Sequence, residues 1–401
     1  MIQLKDICDI YDCPHTTAKD EGKGYPLVRT PNVGKGRLIL DGIHRVSEDV
    51  YNSRNARAIP EEGDLILARE APVGNVSIIM DGQRVCLGQR VVLIKPKREL
   101  VDPHFLTYYL LSAQVQHRLK NHANGAVVAH LNVSDIRNLW VTLPELEEQV
   151  AIGKILRSID DKIELNRQIN DNLEQQAQAL YKSWFIDFEP FKDGKFIESE
   201  LGQIPEGWRI YTLNELMDIK RGSSPRPIQS YLSETGLKWL KISDATSCSS
   251  PFIYEIQEHI KSEGLRNTVY LQKGALVLSN SATPGLPKIL GIDTCIHDGW
   301  LYFPISKLSN PFMYLMFIKF RENLISQANG SVFMNLKTEI VKNLKIALPK
   351  REIIEQFDLI ISSVFNEIRN RTEEMLNLSK QRDTLLPKLM SGEIKINEID
   401  Y

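Results

Sequence analysis

Two stretches of this chain carry apolar residues alternately three and four positions apart, and they set the frame that the rest of the sequence fills. After Leu143-Pro144 the positions Ile152, Leu156, Ile159, Ile163, Asn166, Asn170, Leu173, Ala177, Leu180 and Trp184 keep that spacing. This is an a/d seam sustained over roughly four and a half heptads. After Leu348-Pro349 the same spacing runs through Ile354, Phe357, Ile361, Val364, Ile368, Arg371, Met375, Leu378, Arg382, Leu385 and Leu389, and Gly392 supplies a stop. Glu145, Glu147 and Glu148 suit the positive end of the first helix. Each pattern predicts a helix of about 40 residues, roughly 60 Å long at 1.5 Å per residue. A helix with one apolar stripe needs a partner.

Polar residues interrupt both seams near their middles: Asn166 and Asn170 in the first, Arg371 in the second. Antiparallel packing brings these interruptions opposite one another. Ile159, Ile163, Asn166, Asn170 and Leu173 are then expected to pair with Ile361, Val364, Ile368, Arg371 and Met375, with Asn166 or Asn170 meeting Arg371 and fixing the register. The alternative is that Arg371 lays its stem along the seam edge and keeps its head in water.

Outside these helices the chain repeats itself. LNVSDIRNLWVTLP from Leu131 matches LKTEIVKNLKIALP from Leu336, and Asn124-Gly125 matches Asn329-Gly330. Glu62–Leu67 parallels Lys273–Leu278, Gly74 parallels Gly285, and Leu4–Ile10 parallels Leu213–Ile219. The period of roughly 205–211 residues is far longer than a solenoid unit, so it marks a duplicated domain plus helix. Short apolar runs such as Asp64–Ala68, Val76–Met80 and Val91–Ile94, separated by Gly, Pro and Asp, predict strands. Pro103–Leu119 and Pro311–Ile325 predict helices, each opening on proline. The expected fold class is α+β: two pseudo-symmetric α+β domains separated by two long antiparallel coiled-coil helices. The boundaries read 1–143, a long helix over 144–190, a linker and second domain over 191–348, and a second long helix with a tail over 349–401.

Composition changes this picture little. With 401 residues, 42% hydrophobic and 25% charged, the chain suits a multidomain globular protein. No apolar run is long enough to span a membrane, and the charged start does not suit a signal peptide, so a cytoplasmic location is expected. Five scattered cysteines without a Cys-x-x-Cys argue for reduced thiols and no structural zinc. The formal net charge of −2 hides a local bias. Residues 206–350 carry about five more basic than acidic side chains, residues 1–145 are near balance, and 146–190 is about four charges acidic. Nucleic-acid binding by the outer segments is thus permitted.

Signatures of catalysis do not appear. There is no phosphate-binding Gly-x-x-x-x-Gly-Lys-Ser/Thr, no Gly-x-Gly-x-x-Gly after a strand and no Gly-x-Ser-x-Gly. His117 and His122 are five apart, which does not place two ligands on one helical face. Asn310-Pro311-Phe312 lacks the second proline of an amino-methylating motif and reads better as a helix start. Glu393-Ile394-Lys395 lacks the preceding Pro-Asp of a nuclease site.

The layout, together with LPELEEQVAIGKIL at Leu143–Leu156, ALYKSWFIDFEPF at Ala179–Phe191, SELGQIPEGW at Ser199–Trp208 and LLPKLMSGEI at Leu385–Ile394, resembles the specificity subunit of type I restriction-modification enzymes. The resemblance implies two target recognition domains, each reading one half of a bipartite double-stranded DNA site, with the helices as a ruler. It also implies docking of two modification methyltransferase subunits and of restriction motor-nuclease subunits. No cofactor is then expected in this chain: S-adenosylmethionine, ATP and Mg would sit on the partners. The competing readings are an enzyme of unrecognised type and a structural coiled-coil scaffold without DNA specificity. One departure stands out, since nothing like Ile-Pro-Glu-Gly-Trp precedes Leu4. The edge of the first domain is expected to be completed differently, for instance by the tail Glu393–Tyr401.

Base reading needs polar side chains on loops steadied by phosphate contacts, with Arg suited to guanine and Asn or Gln to adenine. In the first domain the candidates are Arg29, Asn32, Lys35, Arg69, Gln89, Arg90 and Asn124. In the second they are Arg221, Ser223, Arg226, Lys241, Asn280, Ser281 and Asn329.

Overall fold

The computed structural model describes residues 1–122, 130–327 and 335–394. It divides into two compact units, one of residues 1–163 with 376–401 and one of residues 164–375. Each holds an α+β domain and a length of both long helices, which run over Leu146–Phe185 and Arg351–Ser391.

In the first unit a five-stranded sheet has the order Cys8–Asp12, Val91–Pro96, Leu65–Ala68, Val76–Ile78, Gly36–Arg37, with only the last pair parallel. In the second unit the order Lys220–Arg221, Trp300–Tyr302, Leu276–Ser279, Pro287–Leu290, Phe252–Ile253 repeats it, again with the last pair parallel. A second sheet in each domain, three-stranded in the first and five-stranded in the second, contains a further parallel pair, Tyr25–Val28 with Cys86–Leu87 and Leu237–Leu240 with Thr294–Ile296. The central strands Leu65–Ala68 and Leu276–Ser279 are buried on both faces, which is why they read as continuous apolar runs.

The helical readings need one adjustment. Pro103–Leu111 ends at Ser112, whose ψ of 146° leaves the helical region, and a second helix runs over Ala113–His122. The Ser112 hydroxyl donates to the Tyr109 carbonyl, a local bond that competes with helix continuation. Its counterpart is a single helix, Asn310–Ser326. Asp102 and Ser309 cap the two starts by accepting from the backbone N–H of Phe105 (2.8 Å) and Phe312 (3.2 Å).

Both units bury the long helices antiparallel. In the first, Ile152 and Leu156 share a core with Leu389, and Leu385 packs at its edge. In the second, Ala177, Tyr181 and Phe185 share one with Phe357, Ile361 and Ile368. The start of the first domain is closed by its own chain, Ile2–Gln3 pairing with Trp140–Val141, as Arg209–Thr212 pairs with Lys345–Leu348. Ile394 packs against that first core, and the tail beyond it lies outside the described residues. Ile-Pro-Glu-Gly-Trp begins at the end of a separate hairpin, Phe196–Ser199 with Gly202–Pro205, and Trp208 stacks edge-on against Phe188 and Phe191.

The polar seam positions are paired. Arg371 Nη1 donates to Asn166 Oδ1 at 3.1 Å, and Asn166 Nδ2 donates to Glu374 at 2.7 Å. Asn170 meets Thr372 (3.2 Å) and the Ile368 carbonyl (3.4 Å) instead. In the first unit the seam residue Arg382 donates to Asp160 at 2.8 Å, and Tyr108 donates to the other oxygen at 2.7 Å.

Candidate nucleic-acid interface

The backbone aligns the two domains loop by loop. Arg69 N–H donates to the Arg90 carbonyl and Asn280 N–H to the Gly299 carbonyl, both at 2.9 Å. Leu131 N–H then donates to Arg69, and Leu336 N–H to Asn280. Gly74 and Gly285 turn the chain back with φ of 87° and 74°, which glycine adopts without strain. Each domain therefore gathers the same set of loops, but fills them with different side chains.

In the second domain the turn His297-Asp298-Gly299 is the hub. The Asp298 carboxylate accepts from Ser224 at 2.7 Å and faces Arg226 at 3.5 Å. Its carbonyl accepts from Arg221 Nε at 2.5 Å and Asn280 Nδ2 at 3.2 Å. The Ser224 bond, helped by the charge of Arg221, holds the Asp298 carboxyl below the usual carboxylate range, so it is ionised at neutral pH. Burial pushes the His297 imidazole down, leaving it neutral, and its Nδ1 accepts from Gly299 N–H at 2.8 Å. Beside this hub a cavity of about 920 Å³ is lined by Arg226, Ile228, Trp239, Lys241, His297 and Asp298 among others. Lys241 is paired with Glu258.

In the first domain a polar chain runs outward from a buried arginine. Arg69 is 6% exposed and donates to the Leu131 carbonyl (2.8 Å), to Asp12 (2.8 Å) and to His130 Nε2 (2.7 Å). Arginine only donates, so His130 Nε2 accepts and its proton lies on Nδ1, which donates to Glu70 at 2.9 Å. The second Glu70 oxygen holds Arg90 Nε at 3.0 Å. Arg90 is exposed and stands at φ 65°.

The sequence matches the family described as the type I restriction modification DNA specificity domain over residues 1–175 and 205–378. The chain belongs to that family. It is 27% identical to the MjaIX specificity subunit of Methanocaldococcus jannaschii, over 99% of this chain and 94% of that protein. It is 25% identical to the HindI specificity subunit of Haemophilus influenzae, over 84% and 88% respectively. The fold is similar to that of the type I restriction-modification S subunit from M. genitalium, with a TM-score of 0.55, 17% identity and coverage of 97% and 95%.

As a specificity-domain chain, its candidate readers divide by exposure. Lys35, Arg90, Arg221, Ser223 and Arg226 are exposed. Three others need correction. Arg69, Asn32 and Asn280 are 6%, 6% and 2% exposed and hydrogen-bond inside their own domains, Asn32 to the Ile39 carbonyl and to Arg29 N–H. They shape the loops from within, because a buried polar group must find its partners in the protein. Arg29 is half-buried, and Gln89 donates to the His15 carbonyl at 2.6 Å. Ser223 donates to the Asn267 carbonyl at 3.1 Å, and Ser281 bridges to Asn335. Asn124 and Asn329 lie outside the described residues.

Asp298, Glu70, His130 and Asp12 were not singled out from the sequence. The His-Asp-Gly turn before an apolar strand was the available signal for Asp298. Nothing local announces the Glu70–His130 contact, which joins positions sixty residues apart. Among the described residues no group of three or more His, Cys, Asp or Glu is placed to hold a metal ion, and no helix is long and apolar enough to cross a membrane.

Proposed function

We propose that this chain is the DNA sequence-specificity subunit of a type I restriction-modification system, with each α+β domain reading one half of a bipartite target. The observation that carries the reading is the duplication: one sheet order occurs twice, and each copy sets an exposed arginine against a carboxylate, Arg90 on Glu70 and Arg226 on Asp298, although from different loops. Guanidinium groups of this kind suit both phosphate positioning and base-edge recognition. Two reading heads fit a divided site, whereas a scaffold needs no repeated polar loops.

The long helices would serve as the ruler between half-sites and as docking surface for two modification methyltransferase subunits and for the motor-nuclease subunits. S-adenosylmethionine, ATP and Mg would be bound by those partners. The test is to assemble the chain with its modification subunits, expose random DNA to the complex and map methylated adenines. A bipartite motif with a fixed spacer is expected. A single contiguous motif, or methylation by this chain alone, refutes the reading.

A further inference from the structure

Arg90 occupies a conformation that its side chain resists. A non-glycine residue at φ 65° costs about 1–2 kcal/mol relative to the right-handed region, and arginine lacks the short polar side chain that lets Asn or Asp tolerate it. The equivalent place in the second domain, identified by the matching bonds from Arg69 and Asn280, is Gly299, which does not adopt a positive φ, so the left-handed backbone at Arg90 belongs to the first domain rather than to the shared fold. Such a conformation persists where the surroundings over-determine it. Here the surroundings are the chain Asp12–Arg69–His130–Glu70, whose bonds measure 2.7 to 2.9 Å and which ends on Arg90 Nε at 3.0 Å.

The chain holds one edge of the guanidinium and leaves the other presented. Glu70 is 16% exposed in its side chain and Arg90 is 62% exposed. With Nε engaged, the two terminal nitrogens, which no partner among the described residues engages, form the end-on fork that matches the O6 and N7 acceptors of guanine. A phosphate contact needs no such fixing, since any flexible cation serves it. The second domain reaches a similar arrangement from other positions, Arg226 and Arg221 gathered on Asp298.

We propose that Arg90 is a specificity-determining residue that reads one guanine of the first half-site, with Glu70 as its positioning residue. The inference rests on the half-site reading above. The test uses the chain assembled with its modification subunits and methylated-adenine mapping on a random DNA library. Arg90→Ala is expected to relax one guanine position in one half of the motif, reducing discrimination there by about 10- to 100-fold, and to leave the spacer and the other half unchanged. Arg90→Gly, which suits the left-handed φ, should do the same without lowering the thermal midpoint. Glu70→Gln should relax the same position and no other.

An unchanged motif in Arg90→Gly overturns the proposal. So does a uniform loss of methylation on all sequences with a shallower salt dependence, the mark of a phosphate contact. If the unmodified complex yields no bipartite motif, the half-site reading itself fails and takes this one with it.

Discussion

Asn166 and Asn170 occupy successive seam positions on one helix, and the structure predicts opposite responses to the same substitution. Asn170 is 8% exposed; its Nδ2 makes two long bonds, at 3.2 and 3.4 Å, and its Oδ1 is buried without a partner. An unsatisfied buried carbonyl costs about 1–3 kcal/mol, while bonds of that length contribute about 1 kcal/mol together. Leucine is close to asparagine in shape and adds roughly 1.5–3 kcal/mol of burial, less up to about 1.5 kcal/mol of packing strain. The Thr372 hydroxyl loses little, because it still donates to the Ile368 carbonyl at 2.7 Å. Asn170→Leu should therefore stabilise the second unit by about 1–2 kcal/mol.

Asn166 is 0% exposed and uses both ends of its amide, accepting from Arg371 and donating to Glu374. Arg371 Nε already lacks a partner, so Asn166→Leu adds a second unmet donor on a half-buried cation. The expected cost is about 1–3 kcal/mol. Urea unfolding followed by tryptophan fluorescence reads this directly, since Trp184, Trp208, Trp239 and Trp300 all lie in the second unit and only Trp140 in the first. The midpoint should rise for Asn170→Leu and fall for Asn166→Leu at unchanged slope. A fall in the first, or an equal rise in both, refutes the accounting.

Three further outcomes follow from burial. Glu174 is held above the usual carboxylate range by burial, and accepts from Tyr314 at 2.8 Å. A raised carboxylate pKa adds relative stability that is fully present below the unfolded pKa and is lost as pH rises through the folded one. Glu174→Gln should thus gain on the parent protein at pH 7–8 and lose that gain toward pH 4 in paired urea titrations; a pH-independent difference refutes the cause. Arg69→Ala should cost about 1–3 kcal/mol, because it leaves the Leu131 carbonyl unmet and Asp12 with only His15 among the described residues, at 3.2 Å; calorimetry showing an undiminished first-unit transition would return Arg69 to the candidate readers. Phe357→Ala, at the centre of a cluster with Phe185, Trp184 and Phe312, should cost about 3–5 kcal/mol in the second unit, measured by the same fluorescence midpoint.

The features legible from the residues alone are those governed by neighbours in the chain. Three-four spacing marks the long helices because apolar residues must line one face, and proline, acidic residues and glycine mark their ends. Duplication is equally visible, since it is a property of order. Only the tertiary structure decided which polar groups face outward. Arg69 and Arg90 look alike in sequence, each flanking a short apolar strand, yet one is 6% exposed and the other stands in solvent. The difference lies in His130 and Leu131, sixty positions away, which satisfy Arg69 from inside. In the same way Asn166 and Asn170 are both seam interruptions, and their fates diverge according to whether Arg371 or Thr372 lies across from them. Burial and hydrogen-bond partnership are set by long-range contacts, so a local pattern names the candidates and the fold assigns their roles.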